Sequence, residues 1–302
     1  MSAPTAPLVL AIPTFRAERF LAATLDSLAA QGPHIRWRLQ DAASPDETVA
    51  IARRHQRAGD VVVSEPDAGQ ADGLNRAFRA MGGEIVGFIN GDDCLLPGAA
   101  ERVLQCFAEH PGIDLVVGGI EWIDEQGAVT GTHAGSIANT AEVLDLYGVW
   151  WNRRQWVQPE VFYRRALWER VGGFDPRYQL AFDYDFWVRC FLAGARVLHL
   201  PQAFAQFRFH ATQKSSASAQ AADEIRDIAA RHLPSAGLPA ARRRSLQARL
   251  SYDRYQVADP AGRAPFWRAL LTHPEWLGVP EVRARVQTSC RGRLPRAKAS
   301  AQ

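Results

Sequence analysis

The sequence predicts an α/β fold in which the first 120 residues build a mostly parallel sheet with helices on both faces. Three observations predict it. Short apolar runs recur at LVLAIPTF (8–15), VVVSEPD (61–67), EIVGFIN (84–90) and IDLVVGG (113–119). Segments with helical spacing of apolar residues separate them. Acids stand at or just beyond the ends of the runs, at Asp41, Asp67 and the adjacent pair Asp92 and Asp93. A strand apolar along its whole length is buried on both faces, as in a parallel sheet built from βαβ units.

Taken in order, the first run ends at a turn and RFLAATLDSLAAQ (19–31) follows as a helix stopped by Gly32 and Pro33. IRWRLQD (35–41) alternates like a strand and ends on Asp41. SPDETVAIARRHQ (44–56) offers Ser44 as N-cap, Pro45 at the first helical position and Glu47 as the partner of a capping box. After the next run, GQADGLNRAFRAMGG (69–83) reads as a helix closed by glycines, and PGAAERVLQCFAEH (97–110) as another. Residues 120–215 are less regular, with two distinctive segments at 158–176 and 181–215. SSASAQAADE then reads as a linker. Beyond it lie Ala- and Arg-rich helices interrupted at Pro234, Pro260, Pro274 and Pro280. The expected organisation is a catalytic-size domain over 1–215 and a helical, Arg-rich region over 216–302.

The bulk composition, 47% hydrophobic and 22% charged over 302 residues, is that of an ordinary globular chain. The net charge of +3 conceals an asymmetry. Residues 1–220 carry 20 basic against 25 acidic side chains, whereas 221–302 carry 15 against 7. Such a tail offers a surface to an anionic membrane or an acidic partner, or is simply a solvated helical face. No nucleic-acid partner is expected. Cys94, Cys106, Cys190 and Cys290 are scattered, without a C-x-x-C pair, so neither a zinc site nor a disulfide framework is expected. No basic region precedes the first apolar run, and no stretch approaches the roughly 18 apolar residues of a membrane span. The expected location is cytoplasmic, with peripheral contact at the inner membrane face as the tail's contribution.

Several chemistries are disfavoured. The first strand is followed by Pro-Thr-Phe-Arg, not by the glycine pattern of a dinucleotide fold. The only lysines are Lys214 and Lys298, so no Walker loop exists, and no G-x-S-x-G elbow appears. What remains is a set of acids and amides with one late histidine. Open α/β sheets bind ligands at the carboxyl ends of their strands, where these acids fall. Asp92 and Asp93 would repel one another. A divalent cation relieves that repulsion, and Mg²⁺ or Mn²⁺ takes carboxylate oxygens while sharing substrate phosphates. The alternative, capping of the helix near Pro97, places the pair too early.

The motifs PTFRAERFLAATLDSL, QDAASPDET, SEPDAGQADGLNRAF, GEIVGFINGDD, QPEVFYRRALWERVGGFDP, FDYDFW and FRFHATQKS, in that order over residues 8–215, resemble glycosyltransferase family 2. The resemblance implies a GT-A fold, a nucleotide-diphosphate sugar donor, a saccharide or lipid-linked acceptor in bacterial surface polysaccharide or glycolipid synthesis, a divalent metal and inversion at the anomeric carbon. By the same resemblance Pro13 and Thr14 lie beside the nucleotide, and Asp41 reads the base, usually uracil. Asp67, Gln70, Asp72 and Asn75 line the nucleotide and diphosphate. Asp92 is the metal-binding acid, Asp93 faces donor sugar or ribose, and His210 completes the metal site or meets diphosphate. Arg208 and Lys214 face phosphate charge. Asp183 is the catalytic base, with Asp185 its competitor as a first-turn acid. Trp150, Trp151 and Trp156 either stack an acceptor sugar or pack the core.

Two positions depart from the family pattern. Asn90 replaces the first acid of the metal signature and remains a hydrogen-bonding group for ribose or sugar. Phe182 replaces a common glutamate, and an apolar neighbour raises the pKa of Asp183. These departures leave open a second reading, a non-catalytic sugar-nucleotide-binding scaffold. A nucleotidyltransferase would need a Gly-rich basic loop after the first strand, which PTFRAERF is not.

Overall fold

The computed structural model describes residues 8–214, 218–258 and 266–291. Its first half alternates as the apolar runs demand: β1 (Leu8–Thr14), α1 (Leu21–Ala29), β2 (Ile35–Asp41), α2 (Thr48–His55), β3 (Val61–Ser64), α3 (Gln70–Ala80), β4 (Ile85–Phe88), β5 (Cys94–Leu95) and α4 (Ala99–Glu109). The second half adds β6 (Leu115–Ile123), β7 (Val129–Ala134), α5 (Thr140–Val143), β8 (Val161–Arg164), α6 (Arg165–Val171), α7 (Phe182–Leu192) and β9 (Val197–Arg208). Four helices follow: α8 (Ser218–His232), α9 (Ala240–Ala258), α10 (Phe266–Thr272) and α11 (Pro280–Arg291).

The strands form one sheet in the order β3-β2-β1-β4-β8-β6-β9-β5, with β7 hydrogen-bonded to the outer half of β6. β3, β2, β1 and β4 are mutually parallel. The sheet as a whole is mixed. β8 inserts antiparallel between β4 and β6, so the run at 113–119 does not adjoin β4 as successive βαβ units would place it. Alternate residues of β1 serve opposite cores. Leu8, Leu10 and Ile12 pack with α1, α2 and α4, whereas Val9 and Ala11 pack with α3 and α7. Both faces are dry, which is why the run is continuously apolar. Each fully buried aliphatic side chain contributes about 1.5–3 kcal/mol.

Two expectations are corrected. The capping box at Ser44 does not form, and α2 begins at Thr48. The Ser44 hydroxyl and N–H are both spent on the Asp41 carboxylate, at 2.5 and 2.8 Å. Asp46 Oδ1 instead accepts the Thr48 N–H at 3.2 Å. The linker expected from Ser215 is helical from Ser218 onward, and residues 215–217 lie outside the described residues. Its Ala-rich composition suits a helix, and an apolar stripe gives that helix a place to dock. Ile225, Ile228, Ala229 and Leu233 belong to the same core as α3 and α7, so packing shows no break at residue 215. A separate small core gathers Ala248, Tyr252, Phe266, Trp276, Val279 and Val282. Among the described residues no helix is long and apolar enough to cross a membrane.

Asn75 illustrates how the layers are pinned. It lies on the buried face of α3, where its Nδ2 donates to the Phe174 carbonyl at 2.8 Å and its Oδ1 accepts the Phe174 N–H at 2.9 Å. The preceding Gly173 sits at φ +75°, and a Cβ there would stand 2.7 Å from Asn75 Oδ1. Asn75→Ala leaves a buried N–H and C=O without partners. We expect a loss of about 2–4 kcal/mol in chemical denaturation, with nucleotide binding by the remaining folded protein unchanged. A variant as stable as the parent, or one that loses nucleotide affinity alone, would return Asn75 to the ligand site.

Candidate active site

A cleft of about 1210 Å³ opens at the carboxyl ends of the parallel strands. That exceeds the roughly 300–1,000 Å³ typical of a single small-ligand pocket, leaving space for two reactants. Pro13, Thr14, Asp67, Gln70, Asn90, Asp92, Asp183, His210 and Lys214 all line it. These nine come from five separate stretches of chain, and the sheet topology brings them together.

The turn after β4 separates the two adjacent carboxylates. Asp92 faces the cleft, where Oδ2 lies 2.9 Å from His210 Nε2. The other ring nitrogen, Nδ1, meets Thr212 Oγ1 at 3.0 Å, and the ring leans on Phe20 with centroids 4.9 Å apart. Asp93 turns inward and is 1% exposed. Its Oδ1 accepts the Arg208 N–H at 3.1 Å and Oδ2 accepts Asn90 Nδ2 at 3.2 Å. Burial, followed by the charge on Asp92, pushes the Asp93 pKa well above the usual carboxylate range. The fold thus turns the two acids apart, one toward the cleft and one into the interior, and Asp93 does not face donor sugar or ribose.

One carboxylate oxygen and one imidazole nitrogen on the cleft wall suit a hard divalent ion, which keeps several positions for water and substrate phosphate. Among the described residues no group of three or more His, Cys, Asp or Glu is arranged to hold a metal. Asp92 and His210 would therefore hold such an ion jointly with a diphosphate.

A chain of amides crosses the cleft floor. Lys214 Nζ donates to Gln70 Oε1 at 3.3 Å, Gln70 Nε2 to Asn90 Oδ1 at 2.8 Å, and Asn90 Nδ2 to Gln158 Oε1 at 3.0 Å. Gln158 in turn donates to the Phe88 carbonyl. Gln158 opens the motif QPEVFYRRALWERVGGFDP, but its place on the cleft floor is visible only in the structure. Gly69, at φ +118°, starts α3 where a Cβ would collide with Gln179 Oε1 at 2.3 Å. Its N–H donates to Asp67 Oδ1 at 2.9 Å. Burial raises the Asp67 pKa.

Asp183 sits half-buried in the first turn of α7, its Oδ1 accepting the Tyr184 N–H at 2.7 Å. Burial raises its pKa to about 6, which the Tyr184 bond and the nearby Lys214 partly oppose. Desolvation in turn lowers the Lys214 pKa, offset by Glu224, Asp183 and Asp67. Its ammonium lies 5.9 Å from the Phe182 ring centroid. Asp185 points into the interior, where it pairs with Arg189 at 2.7 Å and His232 at 3.0 Å.

Five expected ligands are otherwise engaged. The Asp41 carboxylate is fully buried and accepts four hydrogen bonds, from Thr14, Ser64 and twice from Ser44. A carboxylate has about four acceptor positions, so none is left for a base. Asp72 is held below the usual carboxylate range by the Ala68 N–H and then by Arg76. Asn75 ties α3 to Phe174, and Asp93 is inward as described. Arg208 is buried beneath the cleft. Its guanidinium donates to the Asp92 carbonyl at 2.9 Å, the Asp124 carbonyl at 3.1 Å and Cys94 Sγ at 3.8 Å, with Phe20 4.9 Å beneath it. Trp150 and Trp156 pack in the core, Trp156 also lining the cleft, whereas Trp151 is exposed. Trp150 meets Tyr184, Trp156 meets Trp187 and Phe191, and Trp151 carries Arg226 over its exposed ring.

The sequence matches the family model described as glycosyl transferase family 2 over residues 9–175. It is 30% identical over 202 residues to a PGL/p-HBAD biosynthesis glycosyltransferase of Mycobacterium bovis, covering 65% of this chain and 73% of that one. The structure resembles S. aureus TarS in complex with UDP-GlcNAc, with a TM-score of 0.62 at 18% identity, covering 91% of this chain and 82% of that one. It spans only 49% of the longer TarS chain. It also resembles the mannosyltransferase PcManGT of Pyrobaculum calidifontis in complex with GDP-Man and Mn²⁺, with a TM-score of 0.59 at 18% identity, covering 93% and 83%. These structures show the fold alone, a Rossmann-like GT-A sheet carrying C-terminal helices. The chain belongs to glycosyltransferase family 2 and is a glycosyltransferase.

Arg208→Lys separates a clamp from a phosphate ligand. A lysine keeps the charge but loses the planar fork that spans two carbonyls and a sulfur. We expect it to lower stability by about 2 kcal/mol, as lost bonds to a charged group do, read as an earlier thermal midpoint. Unchanged stability with weakened diphosphate binding would instead put the guanidinium on the ligand.

Proposed function

We propose that this member of glycosyltransferase family 2 moves a sugar from a nucleoside-diphosphate donor to a hydroxyl of a saccharide or lipid-linked acceptor, with inversion at the anomeric carbon. The observation that carries this reading is one cleft with two chemically distinct groups on its wall. The Asp92–His210 pair and Lys214 suit a diphosphate. Asp183, half-buried and with a pKa of about 6, suits a proton acceptor. The UDP-GlcNAc of TarS and the GDP-Man of PcManGT support donors of this class.

In this reading Asp92 and His210 hold Mn²⁺ or Mg²⁺ together with the donor. When bound, the ion neutralises charge developing on the leaving diphosphate. Lys214 adds a positive charge from the same segment after β9 that carries His210, and Gln70 holds its ammonium in place. Asp183 takes the proton from the acceptor hydroxyl as its oxygen bonds to the anomeric carbon and the bond to the phosphate oxygen breaks on the opposite face. A carboxylate buried against Phe182 is a stronger base than one in water, while at neutral pH it remains mostly ionised. Asn90 sits between Gln70 and Gln158, where it orients the floor beneath the sugar.

The variants Asp92→Ala and Asp183→Asn should fail differently. Calorimetry with UDP and GDP should show that Asp92→Ala abolishes the metal-dependent part of binding. Asp183→Asn should bind nucleotide normally and lose about 10²–10⁴ in turnover, the usual contribution of a general base. Because Asp183 works ionised and its pKa is raised, the parent's turnover should be complete well above about 6 and fall as pH drops through it. Normal transfer by Asp183→Asn would sink the assignment of the base.

A further inference from the structure

α8 lies outside the segment that the family model matches, yet it reaches the cleft. Its Ala221 lines the cleft wall. One turn further on, the half-buried Glu224 accepts three successive backbone N–H groups. Oε1 takes that of Gln179 at 3.2 Å, and Oε2 takes those of Leu180 at 2.8 Å and Ala181 at 2.9 Å. Ala181 is the residue from which α7 starts, two residues before Asp183. Three consecutive amides converging on one carboxylate form a charge-assisted anchor for the turn.

The same face of α8 continues the attachment at helical spacing. Asp227 accepts the Tyr178 hydroxyl at 3.3 Å, Arg231 pairs with Asp175 at 3.5 Å and His232 with Asp185 at 3.0 Å. Ile225, Ile228 and Ala229 fill the core beside these contacts. Residues 175–185 are therefore held from outside along their length by a single helix.

We propose that Glu224 is a positioning residue for sugar transfer, fixing through the Gln179–Ala181 turn where Asp183 stands in the cleft. The proposal rests on the reading of Asp183 as the base. Asp183 is faced by the Lys214 ammonium, which favours its ionised form, and by the Glu224 carboxylate, which opposes it. Glu224 thus has a second, electrostatic effect that a merely structural residue lacks. Removing its charge moves the acid limb of the pH profile to lower pH.

The test uses the full chain with Mn²⁺, UDP-GlcNAc and GDP-mannose as donor probes and water as acceptor. It compares Glu224→Ala, Glu224→Gln and Asp183→Asn. Glu224→Ala should lower kcat about a hundredfold, the scale of a displacement of roughly 1 Å, with UDP or GDP affinity unchanged. Glu224→Gln keeps an acceptor oxygen. It should recover most of kcat and shift the acid limb below the parent's value of about 6. Parental kcat in Glu224→Ala, or a parental acid limb in Glu224→Gln, overturns the proposal. Should Glu224→Ala not fold, the limb of Glu224→Gln decides alone. An inactive Asp183→Asn beside parental Glu224 variants overturns only the positioning role. A fully active Asp183→Asn overturns the base and this proposal with it.

Discussion

The site depends on two neighbouring carboxylates pointing in opposite directions. Asp93 is buried and takes the Arg208 N–H, which fastens the start of β5 to the end of β9. Once that anchor is made, Asp92 is forced outward and His210, two residues past Arg208, arrives beside it. The Arg208 guanidinium closes the arrangement from below by gripping the Asp92 carbonyl. A buried acid is costly on its own. Here its cost is offset by two hydrogen bonds, and burial with the nearby Asp92 charge raises its pKa well above the usual carboxylate range.

Availability, more than identity, sorts the remaining polar residues. Asp41, Asp72, Asn75 and Arg208 are chemically suited to a nucleotide, but each spends its hydrogen-bonding capacity within the chain. Asp67, Gln70, Asn90, Asp92, Asp183, His210 and Lys214 reach the cleft. The amide chain from Lys214 to Gln158 keeps them mutually oriented without closing the wall to a ligand. Such preorganisation is what makes a positively charged group useful to a leaving diphosphate, because little rearrangement is needed when charge develops.

α8 and two leucines of α9 share the core of the first 215 residues. α8 packs into the core beneath α7 and holds the turn that enters it. Arg242 and Arg249 reach from α9 to the buried Asp145. The excess of basic side chains in this region is thus partly structural, paired with acids of the first 215 residues. The exposed Leu271 and Trp267 lie further on, beside the small separate core.

The sequence by itself determined the alternation of elements, the parallel half of the sheet, the strand-end position of the acids and the family. Those features are local or periodic: a run apolar on both faces, a glycine at a helix end, a motif in order. Tertiary structure alone decided the insertion of β8 between β4 and β6, and it decided which side chains are free. Ser44 illustrates the difference, since its position suits a cap but the Asp41 carboxylate, brought beside it at the end of β2, takes its hydroxyl. Asp92 and Asp93 are indistinguishable by composition, and only the approach of β9 assigns one inward and the other outward. Likewise nothing local to Glu224 marks it as the partner of a turn some 45 residues earlier. Hydrogen-bond partners distant in sequence are chosen by packing, and packing is a property of the whole chain.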